Sequence, residues 1–539
     1  MYHVTLSESH FPPQTDVELR DSTVGSILRD AAVRWPDAIA LEEVDESGES
    51  MRTWTYAQLN DEADALATAL LTRFRPGERI VLWANNVPEW IICAYAFGMA
   101  GIVLVTANPG YQPRELDYVV RQSSAVAVFV VESVRGNPIA EIARTVADDI
   151  PAVREITDIR DRDTLFATGD LQQPVPEVVS SDIAQIQYTS GSTGFPKGVL
   201  LHHRGLVNNA LLTTKASGGN DGARVLLVMP LFHTAGCMTF LGLCQRGGHL
   251  VMPPMFDPAL ANLLLETREI EELGAVPTML QFMLDADARE PRDFSSMRVM
   301  VSGGAMVAPE LIRRVETRFG CPLLTVYGLT EASPIITLVR AGHSATDRSE
   351  TVGQANTQCE ISIRDPQSNT VVPVGVVGEI CARGYMVMAG YNDNPEATAA
   401  TIDAEGWLHT GDLGTMDERG FVKITGRLKE MIIRGGENLF PVEIENVLLE
   451  HGDVAQVAVV GLPDETWGEI VAAFVLPREG ITLDLNALKA HCRAQMAAQK
   501  TPSVWVEVDE YPLTGSGKVQ KFTLRDRYLD GFYDGATIA

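Results

Sequence analysis

Ile80–Ala84 reads IVLWA, Ile102–Val105 reads IVLV and Val126–Val131 reads VAVFVV. Between these apolar runs lie two segments that open on proline, at Pro88 and at Pro113. Short apolar strands separated by helices imply a parallel sheet covered on both faces, because each strand must return to the same edge by a crossover. The second helix is expected from Pro113 to about Arg121. Trp90–Ala107 contains 18 residues without a charge, near the lower limit for a membrane span. Gly98 and Gly101 interrupt it, and the β-branched Ile102–Val105 is bounded by Asn108-Pro109-Gly110. A buried helix followed by a buried strand therefore explains it better than a span.

Outward from this stretch the rhythm returns at Val225–Met229, Leu250–Met252, Met297–Ser302 and Leu323–Tyr327. Between the last two, PELIRRVETRFG places Leu311, Val315 and Phe319 on one helical stripe and ends at Gly320, a good C-terminal stop. After about Gly353 short strands and turns dominate (GEICARG, GWLHTGDLG, DERGFVKITGR). Beyond Arg427-Leu428-Lys429 a last segment has its own logic: a helix from Pro441, strands at Ala455–Val460 and Ile470–Leu476, and a helix over about Leu485–Ala498. The expected fold is α/β. A large N-terminal domain, 1–428, is built of parallel-rich sheets covered by helices and carries a β-rich subdomain at about 353–428. A small mobile α+β C-terminal domain, 429–539, follows a short polar linker that permits domain motion.

The chain carries 43 basic and 71 acidic side chains, a formal charge of -28. Such a surface repels nucleic acid and anionic lipid as general partners, although a local donor cluster can still bind phosphate. Seven scattered cysteines form no C-x-x-C pair, which argues against a disulfide framework and a zinc site and for a reducing, cytoplasmic setting. MYHVTLSESHFPP lacks the basic start and apolar run of a secretory signal.

The strongest chemical signal is Tyr188-Thr189-Ser190-Gly191-Ser192-Thr193-Gly194-Phe195-Pro196-Lys197-Gly198, after the strand IAQIQ. Its glycines let backbone N–H groups approach an anion, its hydroxyls add donors, and Lys197 adds a cation. Polyphosphate is the natural ligand. It is not a Walker A loop, since Gly198 rather than Ser or Thr follows Lys197. Taken alone, such a loop is also compatible with a flexible surface turn.

The loop resembles the phosphate loop of the adenylate-forming superfamily of acyl-CoA synthetases, peptide-synthetase adenylation domains and beetle luciferases. Tyr327-Gly328-Leu329-Thr330-Glu331, Thr410-Gly411-Asp412, Gly426-Arg427-Leu428-Lys429 and Gly515-Ser516-Gly517-Lys518 follow in the family order. The resemblance implies ATP, Mg²⁺ and coenzyme A as cofactors and co-substrates. By it, Glu331 and Thr189 help to hold Mg²⁺, while Lys197 and the Ser190–Gly194 amides hold the leaving pyrophosphate. Tyr327 and the Gly303-Gly304-Ala305 turn flank adenine, and Asp412 and Arg427 take the ribose hydroxyls. Lys518 is the mobile lysine that bridges carboxylate and α-phosphate, and Lys429 marks the hinge. Gly435 and Gly436 would offer amides to the thiol tunnel, although a glycine pair after a strand could equally be a bulge. His233 in PLFHTAG resembles the residue between acyl pocket and thiol tunnel, with a satisfied core histidine as its rival.

GRLKEMIIRGGENLFPVEIE and GKVQKFTLRD most resemble bacterial medium- and long-chain fatty acid–CoA ligases. The expected reaction joins a carboxylic acid to AMP with release of pyrophosphate, then to coenzyme A with release of AMP. A carrier protein as acceptor, or an idle nucleotide-binding regulator, are the alternatives. The acyl pocket is expected between Leu231–Cys237, Val301–Ala305, Val326 and Ser333–Thr337. Small and apolar residues prevail there with no Arg or Lys, favouring a fatty, aryl or sterol-derived monocarboxylic acid. The partners are thus small molecules, with no integral membrane segment; a homodimer stays open.

Overall fold

The computed structural model describes residues 2–171, 173–189, 196–435, 437–478, 480–513 and 519–533. Two large sheets form the bulk of the N-terminal domain. The seven-stranded sheet runs in the order Gly390–Tyr391, Lys197–His202, Ile183–Thr189, Val103–Thr106, Arg79–Trp83, Ala127–Val130, Glu155–Asp158. Its last five strands are parallel, whereas Lys197–His202 and Gly390–Tyr391 are added antiparallel. The helix Pro88–Ala100, capped by a left-handed Gly101, lies wholly buried over this sheet. Each large apolar side chain it removes from water contributes about 1.5–3 kcal/mol. The uncharged stretch is therefore core. No helix among the described residues is long and apolar enough to cross a membrane.

The nine-stranded sheet has the order Gln354–Ala355, Ile335–Leu338, Leu323–Gly328, Val299–Ser302, Glu272–Gly274, Arg224–Leu226, His249–Met252, Ile39–Val44, Ser50–Thr55. Its central strands are parallel and both margins antiparallel. On the helix Pro309–Phe319 the buried face is Ile312, Val315 and Phe319. Leu311 is only partly buried, because the face centres one residue beyond the expected stripe. The strand expected over Val225–Met229 spans Arg224–Leu226.

A five-stranded antiparallel sheet holds Cys359–Arg364, Gly378–Gly384, Leu408–Met416 and Val422–Arg427, with His10–Phe11 from the far end of the chain on its edge. Behind it comes the small C-terminal sheet, ordered Glu437–Leu439, Ile432–Arg434, Gly468–Pro477, Val454–Asp464, with Val504–Glu507 parallel to Gly468–Pro477. The helix Leu485–Gln495 ends before Ala498, where a tight turn takes over. Apolar side chains on the two faces of this sheet form separate clusters, one around Ile444, Leu488 and Trp505 and the other around Phe474, Leu524 and Tyr533. Lys521 ties the start of this domain together, its Nζ 3.1 Å from Glu430 and 2.7 Å from Glu445.

Candidate active site

The strand Ile183–Thr189 turns back as Lys197–His202, and Thr189 sits directly opposite Lys197 in the pairing. Both ends of the 190–196 connection are thereby fixed at one sheet margin. Ser190, Gly191, Ser192, Thr193 and Gly194 lie outside the described residues, as do Gly436 and Lys518. The hydroxyl of Tyr118 donates to Pro196 O at 2.8 Å, holding the returning limb.

Gly390–Tyr391 pairs with Leu200 and Val199 on that returning strand, which brings Tyr391 beside Lys197. Lys197 Nζ lies 4.7 Å from the centre of its ring, a cation–π contact. The Tyr391 hydroxyl donates to Glu331 Oε1 at 2.8 Å. Burial, and then the Glu331 carboxylate, push the Tyr391 phenol above its ordinary value, so it stays a donor. Thr189, Lys197, Tyr391 and Glu331 thus form one chain of contacts. The sequence reading missed Tyr391, since a two-residue strand carries no periodic signal; its only mark was AGYN after the β-rich segment.

Glu331 is 9 % exposed and sits in the tight turn Thr330–Ala332 with Thr330, also buried. That turn follows Gly328, where an added Cβ would fall 1.9 Å from Pro334 O, so only glycine admits the close approach of the two limbs. Among the described residues Glu331 has a neutral hydroxyl and no cation as its side-chain partner. A buried carboxylate without a paired cation is costly, and the Glu331 carboxylate and Thr189 hydroxyl are hard oxygen donors suited to Mg²⁺. Bound there, the ion would neutralise polyphosphate charge.

Asp412 stands across from Arg427 in the pairing of Leu408–Met416 with Val422–Arg427. Its Oδ1 is 2.9 Å from Arg427 Nε, and its Oδ2 accepts from the Tyr327 hydroxyl at 2.8 Å. Burial, followed by Asp412, keeps the Tyr327 phenol far above its ordinary value. A carboxylate accepts hydrogen bonds from hydroxyls, which is the chemistry a ribose diol would need. Strand Val299–Ser302 runs beside Leu323–Gly328 with Ser302 opposite Thr325. The Gly303-Gly304-Ala305 turn, partly buried at Gly303 and exposed beyond it, therefore leaves the sheet beside Val326, the neighbour of Tyr327. The structure thus gathers Tyr327, Asp412 and Arg427 directly, with the glycine turn alongside. Lys429 follows as an exposed residue, and Leu428 donates its N–H to Gly411 O at 2.8 Å.

His233 is the N-cap of the helix Thr234–Cys244, its ring accepting from Ala235 N at 3.3 Å. Behind it Ala235, Met238 and Thr239 form a partly exposed stripe, while Cys237 is buried. The Cys237 thiol donates to Leu231 O at 3.2 Å. Thr337 likewise spends its hydroxyl on Val352 O and is fully buried. At Gly435, expected to offer its amide to the thiol tunnel, the N–H donates to Trp467 O at 2.7 Å; Trp467 comes from the next hairpin, which local sequence cannot foresee. His202 and His203 diverge: His202 Nδ1 accepts from Gly205 N, and His203 Nδ1 from Val24 N.

A lysine and a buried carboxylate, linked through Tyr391 at the end of the 183–202 hairpin, are suited to polyphosphate and a divalent ion, the chemistry of a nucleotide-using enzyme. The chain belongs to the AMP-binding enzyme family, whose pattern matches residues 28–392; the AMP-binding enzyme C-terminal domain matches residues 443–518. Its relatives place it within that family as an AMP-forming acyl-CoA synthetase, an acid–thiol ligase that uses ATP, Mg²⁺ and coenzyme A. It is 35% identical over 545 residues to YngI of Bacillus subtilis (strain 168), assigned as an acyl-CoA synthetase, covering 96% of this chain and 98% of that one. It is 32% identical over 557 residues to the mitochondrial medium-chain acyl-CoA ligase ACSF2 of Mus musculus, covering 96% and 89%. Among solved structures, ATP-bound MatB from Rhodopseudomonas palustris superposes with a TM-score of 0.83 at 28% identity, covering 95% and 100%.

Proposed function

We propose that this synthetase activates an apolar monocarboxylic acid of medium length. The observation that carries the reading is the Lys197–Tyr391–Glu331 chain, which sets a cation and a carboxylate for metal at the mouth where polyphosphate would lie. Thr189 and Glu331 are assigned to Mg²⁺, and Lys197 with Ser190, Gly191, Ser192, Thr193 and Gly194 to the phosphates. Tyr327, Gly328, Thr330 and the Gly303-Gly304-Ala305 turn serve the base, and Asp412 and Arg427 the ribose. The chain divides at residue 428, and 429–539 swings about Lys429 to deliver Lys518 for adenylation and withdraw it for thioester formation. Joining a carboxylate to the α-phosphate brings two anions together, so delivery of that one ammonium lowers the barrier.

His233 stands at the head of the helix whose stripe Ala235, Met238 and Thr239 walls the acyl chain. That stripe and Leu231–Cys237 carry no lysine or arginine, so a second carboxylate would find no partner and pay its desolvation. Similarity to medium-chain ligases supports the same class. Seven buried, unpaired thiols favour a reducing, cytoplasmic setting. The test is pyrophosphate release across C2–C18, benzoic and sterol side-chain acids, with and without coenzyme A. Coenzyme-A-dependent turnover peaking at medium chain length is the expected result. A stalled acyl-adenylate awaiting a carrier protein, or preference for a dicarboxylate, would overturn it.

A further inference from the structure

Behind the Thr410-Gly411-Asp412 turn lies a cluster that the reaction itself does not use. Glu379, from the strand Gly378–Gly384, accepts the Gly411 N–H on Oε1 at 2.9 Å. Its Oε2 lies 2.8 Å from His409 Nδ1. On the far side of that ring, Nε2 is 3.4 Å from Asp403 Oδ2, and Asp403 is anchored by accepting from Glu405 N and Trp407 N, each at 2.9 Å. Cys381 Sγ sits 3.5 Å from His409 Nδ1.

Gly411 needs this support. Its φ of +72° is left-handed, a conformation that glycine adopts freely and holds weakly. Its carbonyl is taken by Leu428 N–H, so Glu379 is the partner that fixes its N–H. The next residue is Asp412. An error in the Gly411 peptide plane would swing the Asp412 carboxylate off Tyr327 and Arg427.

We propose that Glu379 and His409 are positioning residues for nucleotide binding, a charged brace that holds the Gly411–Asp412 turn from behind. The inference rests on the reading that Asp412 meets the ribose. Hydrogen bonds to Cys381 and Glu379 raise His409 to about 10, whereas burial raises the Cys381 thiol and keeps it neutral. The ring is thus a histidinium between two carboxylates, donating at both nitrogens. Ligand atoms of Glu379, Cys381 and His409 lie within 4.8 Å of one another, close enough to surround a divalent ion. Each, however, is already satisfied by another: Glu379 Oε1 by Gly411, Oε2 by the imidazolium, and the thiol is un-ionised. A brace accounts for all of these contacts.

The test compares Glu379→Ala, Glu379→Gln, His409→Gln and Asp412→Asn in the full-length enzyme, by steady-state pyrophosphate release. Glu379→Ala should raise the ATP KM about tenfold, the order expected for one lost hydrogen bond to a charged group, with kcat and the KM for the acid little changed. Glu379→Gln keeps an acceptor for Gly411 and should recover most of that loss, and His409→Gln should fall between. Should Glu379→Ala and His409→Gln lower Tm and leave the ATP KM within about twofold, the cluster is merely structural and the proposal fails. Stoichiometric zinc in the purified enzyme, lost in Glu379→Gln, would also overturn it. If Asp412→Asn itself leaves the ATP KM unchanged, the ribose assignment is what has failed.

Discussion

Replacing Tyr391 by Phe removes a single oxygen and leaves the ring that faces Lys197. The lost contact is the 2.8 Å hydrogen bond to Glu331 Oε1. Tyr391 is 8 % exposed and Glu331 9 %, so water does not readily replace the hydroxyl, and hydrogen bonds to charged groups are worth about 1.5–3 kcal/mol. Two effects compete. Freed of its donor, the carboxylate is more electron-rich and attracts a cation more strongly, yet it also loses the contact that fixes its rotamer. Since a carboxylate has about four lone-pair sites, one neutral donor hardly depletes it, and the loss of orientation wins. At about 1.4 kcal/mol per decade, kcat/KM for MgATP should fall about tenfold or somewhat more, with a rise in the Mg²⁺ concentration giving half-maximal rate. Tyr391→Ala, which also removes the ring beside Lys197 and opens a cavity, should lose stability as well, by about 3–5 kcal/mol. The assay is pyrophosphate release titrated with Mg²⁺ at saturating acid. An unchanged Mg²⁺ dependence in Tyr391→Phe, within about twofold, would refute the claim that Tyr391 orients a metal-binding carboxylate.

Lys521→Met leaves Glu430 and Glu445 facing each other without the cation that lies 3.1 and 2.7 Å away; breaking a buried pair costs about 3–5 kcal/mol, and partial exposure of this one reduces that to about 2 kcal/mol, to be read as early urea unfolding of the C-terminal domain. His409, raised to about 10 by Cys381 and Glu379, is charged in the folded protein well above the ordinary histidine value. Its stabilising charge is fully present below about pH 6.5 and is lost as pH rises through about 10. The stability gap between the native enzyme and His409→Gln should therefore narrow between pH 7 and about 10.5, and a constant gap in denaturant titrations would contradict it. Lys518→Ala should lower adenylation about 10²–10³-fold but leave thioester formation from supplied acyl-adenylate much less affected, as single-turnover assays of each half-reaction can separate.

What could be read in the sequence was local. Pro88 and Gly101, or Pro309 and Gly320, mark helix ends because proline fits the first turn and glycine the left-handed cap. The helices lie between those residues. The three apolar runs Ile80–Ala84, Ile102–Val105 and Val126–Val131 mark neighbouring strands of the parallel sheet. What could not be read was where distant short segments land. His10–Phe11 pairs with Ser362 and Ile361, and Gly390–Tyr391 with Leu200 and Val199. Strands of two residues have no period to detect, and they owe their place to tertiary pairing. Tyr391 was missed for that reason. The brace behind Gly411 was missed for a related one: Glu379 and His409 lie on neighbouring antiparallel strands, so their meeting depends on register. Gly435 shows the converse, a residue type suited to an open amide whose N–H is already used by Trp467.

An AMP-forming synthetase joins a carboxylate to the α-phosphate and not to the γ-phosphate. Product analysis of a single turnover with ATP, Mg²⁺ and a medium-chain fatty acid, first without and then with coenzyme A, tests this directly. Acyl-AMP and pyrophosphate should form in equal amounts, and addition of coenzyme A should convert the adenylate to acyl-CoA and AMP. Formation of ADP and inorganic phosphate, with no acyl-AMP at any time, would contradict it.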